Sequence, residues 1–158
     1  NHITKNTTDF YPAQLQDDIN SMNDKVYHYI NNGVYKAGFA TAQDVYEKAV
    51  TALFKTLNSL EQHLKMNSYL VGNQVTEADW RLFTTLIRFD AVYVGHFKCN
   101  LKRIKDYPSL SNYVKKLYDY KGVKQTVNMN HIKSHYYSSH KMINPTGIIP
   151  SGPLDLFS

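Results

Sequence analysis

The run from Val75 to Phe89 constrains this chain more than any other, because it sets the start, the buried face and the entry of one helix together. Thr76 stands where an N-cap belongs, with Asp79 three residues on. A cap hydroxyl can accept from the backbone N–H of the third helical residue, and that residue's carboxylate can reach back to the cap's own N–H. Val75 before the cap and Trp80 at the fourth helical position have the spacing of a hydrophobic staple. Behind them Ala78, Leu82, Leu86 and Phe89 recur at helical period, so one face of the helix must be covered. Replacing Thr76 or Asp79 by alanine is expected to cost about 1 kcal/mol each, more for Asp79 if its carboxylate is buried.

The segments that could cover that face also read as helices. Leu15, Ile19, Met22, Val26 and Ile30 mark one stripe, entered through Phe10-Tyr11-Pro12 and expected to stop at Asn31-Asn32-Gly33, a left-handed cap pattern. A loop over 33–40 would come next, holding Tyr35. Thr41, with Asp44 three residues later, predicts the next helix, whose face is Val45, Ala49, Leu53, Leu57, Leu60 and Leu64 and whose length invites a kink. A turn over 67–75 precedes the capped helix, which should run to about Val94. Residues 95–105 read as irregular or a short turn of helix. Pro108 starts a helix with Leu110, Val114 and Leu117 on one side, and Gly122 ends that segment. Short helices are expected over 123–129 and 130–139. Three prolines and two glycines in residues 144–153 argue against regular structure there. No strand alternation competes, so the fold class is all-α, a bundle of roughly five to seven helices.

Length and composition narrow the function classes. A chain of 158 residues with 42% hydrophobic content suits one domain with its own core. The net charge of +5 is densest at Lys98, Lys102, Arg103 and Lys105, but no recognition motif accompanies it, so it reads as a solvated surface rather than a nucleic-acid site. No apolar run is long enough to be a membrane helix, and no signal-peptide pattern is present. The first residue is Asn1, not Met, which reads as a piece of a longer protein.

Few side chains stand out for chemistry. His131 and His135 share a helix face, with His140 nearby, but no glutamate lies between them and no further ligand completes a set, so structural histidines are the better reading and no metal is expected. Cys99 is the one cysteine. It lies in Phe-Lys-Cys-Asn, without a Cys-x-x-Cys or Cys-Pro-x-Ala context, and reads as a bystander thiol. There is no nucleophile elbow, P-loop or dinucleotide fingerprint. Thirteen tyrosines remain. A neutral phenol can donate a hydrogen bond to a substrate oxygen at pH 7. Spacing alone leaves Tyr35 and Tyr136 as ordinary helix-edge tyrosines.

Four blocks change that balance: Asn31 through Thr41; Arg88 through Val94 with His96-Phe97-Lys98-Cys99; Thr126 through Lys141; and Ile143-Asn144-Pro145-Thr146-Gly147-Ile148-Ile149-Pro150. Together with the capped helix after Gly72-Asn73, this series resembles the C-terminal helical domain of glutathionyl-hydroquinone reductases, the Xi-class glutathione transferases, from about Phe10 to Pro153. The resemblance implies a glutathione-dependent reductase that removes glutathione from glutathionyl-hydroquinones by thiol exchange. In that family an N-terminal thioredoxin-like domain carries the nucleophilic cysteine in a Cys-Pro-x-Ala context and most of the glutathione site, and no such motif is present here. The helical domain supplies the wall for the aromatic substrate.

By resemblance, Tyr35 and Tyr136 are the catalytic, substrate-binding tyrosines that hold the hydroquinone. Their hydroxyls should converge on one concave surface with both rings partly exposed. Cys99 falls outside the catalytic motif. Glutathione is implied as co-substrate, with no metal, no nucleic acid and no membrane; a homodimer and a cytoplasmic location are further expectations. Residues 1–12 would be the linker from the thioredoxin-like domain, 13–143 the helical domain and 144–158 an irregular tail. The chain alone is expected to be inactive. The rival reading is a non-enzymatic helical module that binds a partner protein.

Overall fold

Residues 8–155 are described by the computed structural model, and among them helix is the only regular structure, as the sequence patterns require. Six α-helical segments occur in order: α1 (Gln16–Val26), α2 (Asn32–Gly38), α3 (Gln43–Met66), α4 (Glu77–Arg88), α5 (Pro108–Tyr118) and α6 (Met129–Ser139). A π turn over Tyr27–Asn31 joins α1 to α2 in one rod, and a second over Phe89–Tyr93 prolongs α4. α3 packs on α2 and α5, α1 on α4, and α6 on the π turn that ends α4. Residues 1–7 of the expected linker lie outside the described residues.

The capped helix sits at the centre. Ala78, Leu82, Leu86 and Phe89 are all buried. The capping box is in place: the Thr76 N–H donates to Asp79 Oδ2 at 2.8 Å, and the Thr76 hydroxyl donates to the same oxygen at 3.0 Å. Asp79 does more than cap. Its Oδ1 accepts from the Leu70 N–H at 2.9 Å and from the Tyr113 hydroxyl at 2.7 Å, which ties α5 and the preceding turn to the helix start. Trp80 packs edge-to-face on Phe10, Phe83 and Tyr120. α5 begins at Pro108, and the Glu61 carboxylate of α3 accepts from the Ser109 and Leu110 N–H groups at 3.0 and 2.9 Å. A carboxylate at a helix N-terminus satisfies orphan donors and opposes the helix dipole.

Several boundaries differ from the sequence reading. The Asn31-Asn32-Gly33 stop does not occur; the chain stays helical to Gly38, so Tyr35 lies on α2 and not in a loop. Gly33 is buried against Leu53 with ordinary helical dihedrals, and tertiary packing overrides the local cap signal. The next helix is capped by Ala42 rather than Thr41, and Asp44 pairs with Lys48 instead. α3 is one uninterrupted α-helix, with Val50 and Phe54 in its core face and Val45 exposed. Of the short helix expected over 123–129, only a 3₁₀ turn forms, Lys124–Thr126, and Met129 already opens α6. From 140 to 155 the chain is irregular but tied down, residues 156–158 of the expected tail lying outside the described residues: Asn144 Nδ2 donates to the Tyr137 and Ile148 carbonyls, and the buried Lys133 ammonium donates to the Ser151 carbonyl at 2.9 Å.

Candidate functional site

Both π turns border the same cleft. A π turn inserts one residue and rotates the downstream residues by roughly 100° about the helix axis. Tyr35 lies just past the first π turn and Tyr93 closes the second, so the azimuth of each is set by an inserted residue. Tyr136 comes from α6, which lies across the second π turn. The three rings meet: Tyr93 is edge-on to Tyr136 at 5.5 Å, and Tyr35 is tilted against Tyr93 at 6.2 Å. Phe97 packs against all three. Phe97 can approach this closely because Gly38 has no side chain: a Cβ there would stand 2.3 Å from Phe97 Cγ.

The hydroxyls form a chain. Tyr136 Oη lies 2.8 Å from Tyr35 Oη and 2.8 Å from Tyr93 Oη. The two tyrosines singled out in the sequence, 101 residues apart, are therefore in direct hydrogen-bond contact. The expectation that both rings are partly exposed holds only for Tyr35, at 38%; Tyr136 is 7% exposed, because α6 lays it between Tyr93 and Phe97. An open cleft of about 620 Å³ runs along this cluster, lined also by Asn31, Trp80, Arg81 and Arg88. Burial, and then the bond with Tyr136, push the Tyr35 hydroxyl up to about 12, while the nearby Arg88 guanidinium pulls the other way. Burial also raises Tyr93 far above the ordinary phenol range. At neutral pH both remain protonated, so the cluster is a hydrogen-bond donor beside a cation. Tyr93 and Arg88 were missed as site residues: nothing local marks them apart from their place in the Arg88–Val94 block.

The remaining candidates lie apart from this chemistry. Cys99 is fully buried, and burial pushes its thiol up to about 12, so it is a poor nucleophile at neutral pH. His131 and His135 are on the exposed side of α6. His140 is hydrogen-bonded to His96, with Nδ1 3.0 Å from Nε2, and burial lowers the proton affinity of both. Among the described residues no three histidine, cysteine or carboxylate side chains gather as a metal-holding group. No described helix is long and apolar enough to cross a membrane.

An all-helical domain with a buried aspartate capping its central helix, and an aromatic cleft beside it, defines a class that comparison with known proteins identifies. The family described as "Glutathione S-transferase, C-terminal domain" matches residues 43–116. The chain belongs to that family. Within it, the chain is 56% identical over 145 residues to the glutathionyl-hydroquinone reductase PcpF of Sphingobium chlorophenolicum, a match that covers 92% of this chain and 46% of that protein. The glutathione-bound structure of YqjG, a glutathione transferase homolog from Escherichia coli K-12, superposes with a TM-score of 0.95 at 51% identity, over 99% of this chain and 51% of that one. The Xi glutathione transferase of Phanerochaete chrysosporium gives 0.93 at 51% identity, over 96% and 49%. The chain spans about half the length of the relatives it matches.

Proposed function

We propose that this chain is the substrate-pocket domain of a glutathione-dependent reductase acting on glutathionyl-hydroquinones, with Tyr35 and Tyr136 as the hydroxyl donors that hold the quinol. The observation that supports this reading best is the convergence of the two hydroxyls, 2.8 Å apart, on an open aromatic cleft beside Arg88. The nucleophile would come from an upstream thioredoxin-like domain that also binds most of the glutathione. Residues 1–12 would link to it, 13–143 form the helical domain, and 144–158 the tail. In the exchange, the upstream thiolate takes the glutathionyl sulfur. The sulfur–carbon bond breaks with its electron pair passing to the ring, and a proton replaces sulfur on the ring carbon. A second glutathione then frees the cysteine and leaves as glutathione disulfide. Negative charge that develops on the ring oxygen is met by the tyrosine donors and by Arg88, in a site drier than bulk water. The working enzyme would be a cytoplasmic homodimer.

The test compares two proteins with glutathione and a glutathionyl-hydroquinone. The full-length protein should turn over, and this chain alone should not. Absence of turnover in the full-length protein rejects the reading. Turnover by the chain alone that vanishes in Cys99→Ser would make Cys99 the nucleophile and reject the division of labour. Light scattering of the full-length protein should give a dimer mass; a monomer at high micromolar concentration counts against that part.

A further inference from the structure

The cleft wall carries one side-chain amide whose orientation is fixed. Asn31 closes the first π turn, and its amide nitrogen donates to the Arg81 carbonyl at 3.1 Å and to the Thr85 hydroxyl at 2.6 Å, both on α4. A backbone carbonyl oxygen can only accept, so the nitrogen end of the amide faces α4 and the oxygen end faces away. Among the described residues nothing donates to Asn31 Oδ1. The one buried side-chain oxygen there without a partner is Asn23 Oδ1, so the Asn31 oxygen is not sealed off, and Asn31 lines the cleft. Asn32 lines it too, but no tie to the described residues fixes that amide, which can offer either end.

The place of this oxygen gives it a use. Asn31 and Tyr35 are four residues apart on the same helical rod, so they are neighbours on one face, about 5–6 Å apart at Cβ. The two oxygens of a 1,4-hydroquinone are separated by a similar span, about one helical pitch. Arg88, beside Tyr35, can only donate. Glu77, the carboxylate on this wall, is paired with Arg81 and lies two turns of α4 away from Thr85. A quinol whose first oxygen sits at Tyr35 still has a second hydroxyl, and that proton needs an acceptor as the site dries.

We infer that Asn31 is a specificity-determining residue of the cleft: its Oδ1 accepts a hydrogen bond from the quinol hydroxyl para to the oxygen held at Tyr35. The inference rests on the reading of the cleft as a quinol site, and it names the class of ring that the site prefers. A 1,4-hydroquinone satisfies both ends. A phenolate with no second proton leaves the Asn31 oxygen without a donor and gains nothing from it.

Binding of two ligands to this chain tests it. Trp80, the single tryptophan, lines the cleft, so 4-nitrophenolate is titrated by quenching of its fluorescence and hydroquinone by displacement of 4-nitrophenolate. Asn31→Ala should weaken hydroquinone roughly five- to tenfold, as for one lost hydrogen bond, and leave 4-nitrophenolate no weaker. Thr85→Val, which breaks one bond of the tie but keeps Oδ1, should change both ligands alike. Asn31→Asp keeps an acceptor and should hold hydroquinone better than Asn31→Ala does, while repelling 4-nitrophenolate. Equal losses for both ligands in Asn31→Ala mark a merely structural role and overturn the inference, as does a wild type that binds neither. If thermal unfolding shows that Asn31→Ala does not fold, Asn31→Asp decides: weakened hydroquinone with unweakened 4-nitrophenolate overturns it. The expected pattern without turnover in the full-length enzyme would leave the Asn31 acceptor standing and reject the hydroquinone reading.

Discussion

Two buried polar hubs stand in this molecule, one around Asp79 and one around Tyr136, and they differ in what they leave over. The Asp79 carboxylate accepts from the Thr76 N–H, the Thr76 hydroxyl, the Leu70 N–H and the Tyr113 hydroxyl. A carboxylate has about four lone-pair sites, so this hub is filled and closed to any ligand. The Tyr136 hub joins three hydroxyls by two bonds and opens on a cleft, so a donor remains. Equal burial thus serves opposite ends. A complete set of partners fixes the fold, and a set one acceptor short invites a ligand.

The largest effect that could break this contrast is at the closed hub. Asp79→Ala leaves four donors without their acceptor, and should destabilise the chain by about 3–5 kcal/mol. That exceeds the about 1 kcal/mol expected of a cap residue alone. Urea midpoints measure it, and a loss near 1 kcal/mol would show that the Leu70 and Tyr113 bonds add nothing. Thr76→Ala should stay near that lower figure.

Next comes Gly38. A methyl group there would overlap Phe97, the ring against which Tyr35, Tyr93 and Tyr136 pack. Gly38→Ala should cost about 1–3 kcal/mol, the usual range for overpacking, and should also weaken 4-nitrophenolate binding. Loss of stability with binding intact would separate Phe97 from the site.

A pH series sharpens the contrast through burial. The folded state holds the Cys99 proton up to about 12 against an ordinary 9.0, and the Tyr35 proton up to about 12 against 10.0. Both values are raised, so the unfolded chain releases these protons first as pH rises. The stabilisation is whole below about pH 9 and lost as pH climbs toward 12. Denaturant midpoints should fall from about pH 9 upward, and Cys99→Ala should flatten part of the fall. A midpoint constant to pH 11 would mean that the thiol is not desolvated.

The smallest effect is at Gly33. A Cβ there meets Leu53 at 3.6 Å, an ordinary contact, in a helical backbone. Gly33→Ala should stabilise by about 0.4–1 kcal/mol. Destabilisation instead would restore the left-handed cap that Asn31-Asn32-Gly33 suggests.

These sites also show what the sequence could disclose. The cap of α4, the proline start of α5 and the apolar stripes were legible because their causes lie within a turn or two of the residue concerned. Gly33 was misread because a local cap signal carries no information about Leu53, twenty residues on. The π turns have no composition of their own, so the placement of Tyr35 on a helix and of Tyr93 beside it was not legible. Tyr113 reaches Asp79 across 34 residues, and Tyr93 reaches Tyr136 across 43. Helical period cannot foretell such contacts. Resemblance to a known family, not periodicity, joined Tyr35 to Tyr136.

The most direct measurement is steady-state turnover of a glutathionyl-hydroquinone by the full-length enzyme carrying Tyr35→Phe and Tyr136→Phe, singly and together, with unfolding curves recorded alongside. Each single change should remove about 1–3 kcal/mol of transition-state stabilisation, roughly a five- to 150-fold loss in kcat/KM. The double variant should lose less than the product of the two, since the hydroxyls share one chain. Unfolding midpoints should move little. Unchanged kinetics in the double variant would contradict the account.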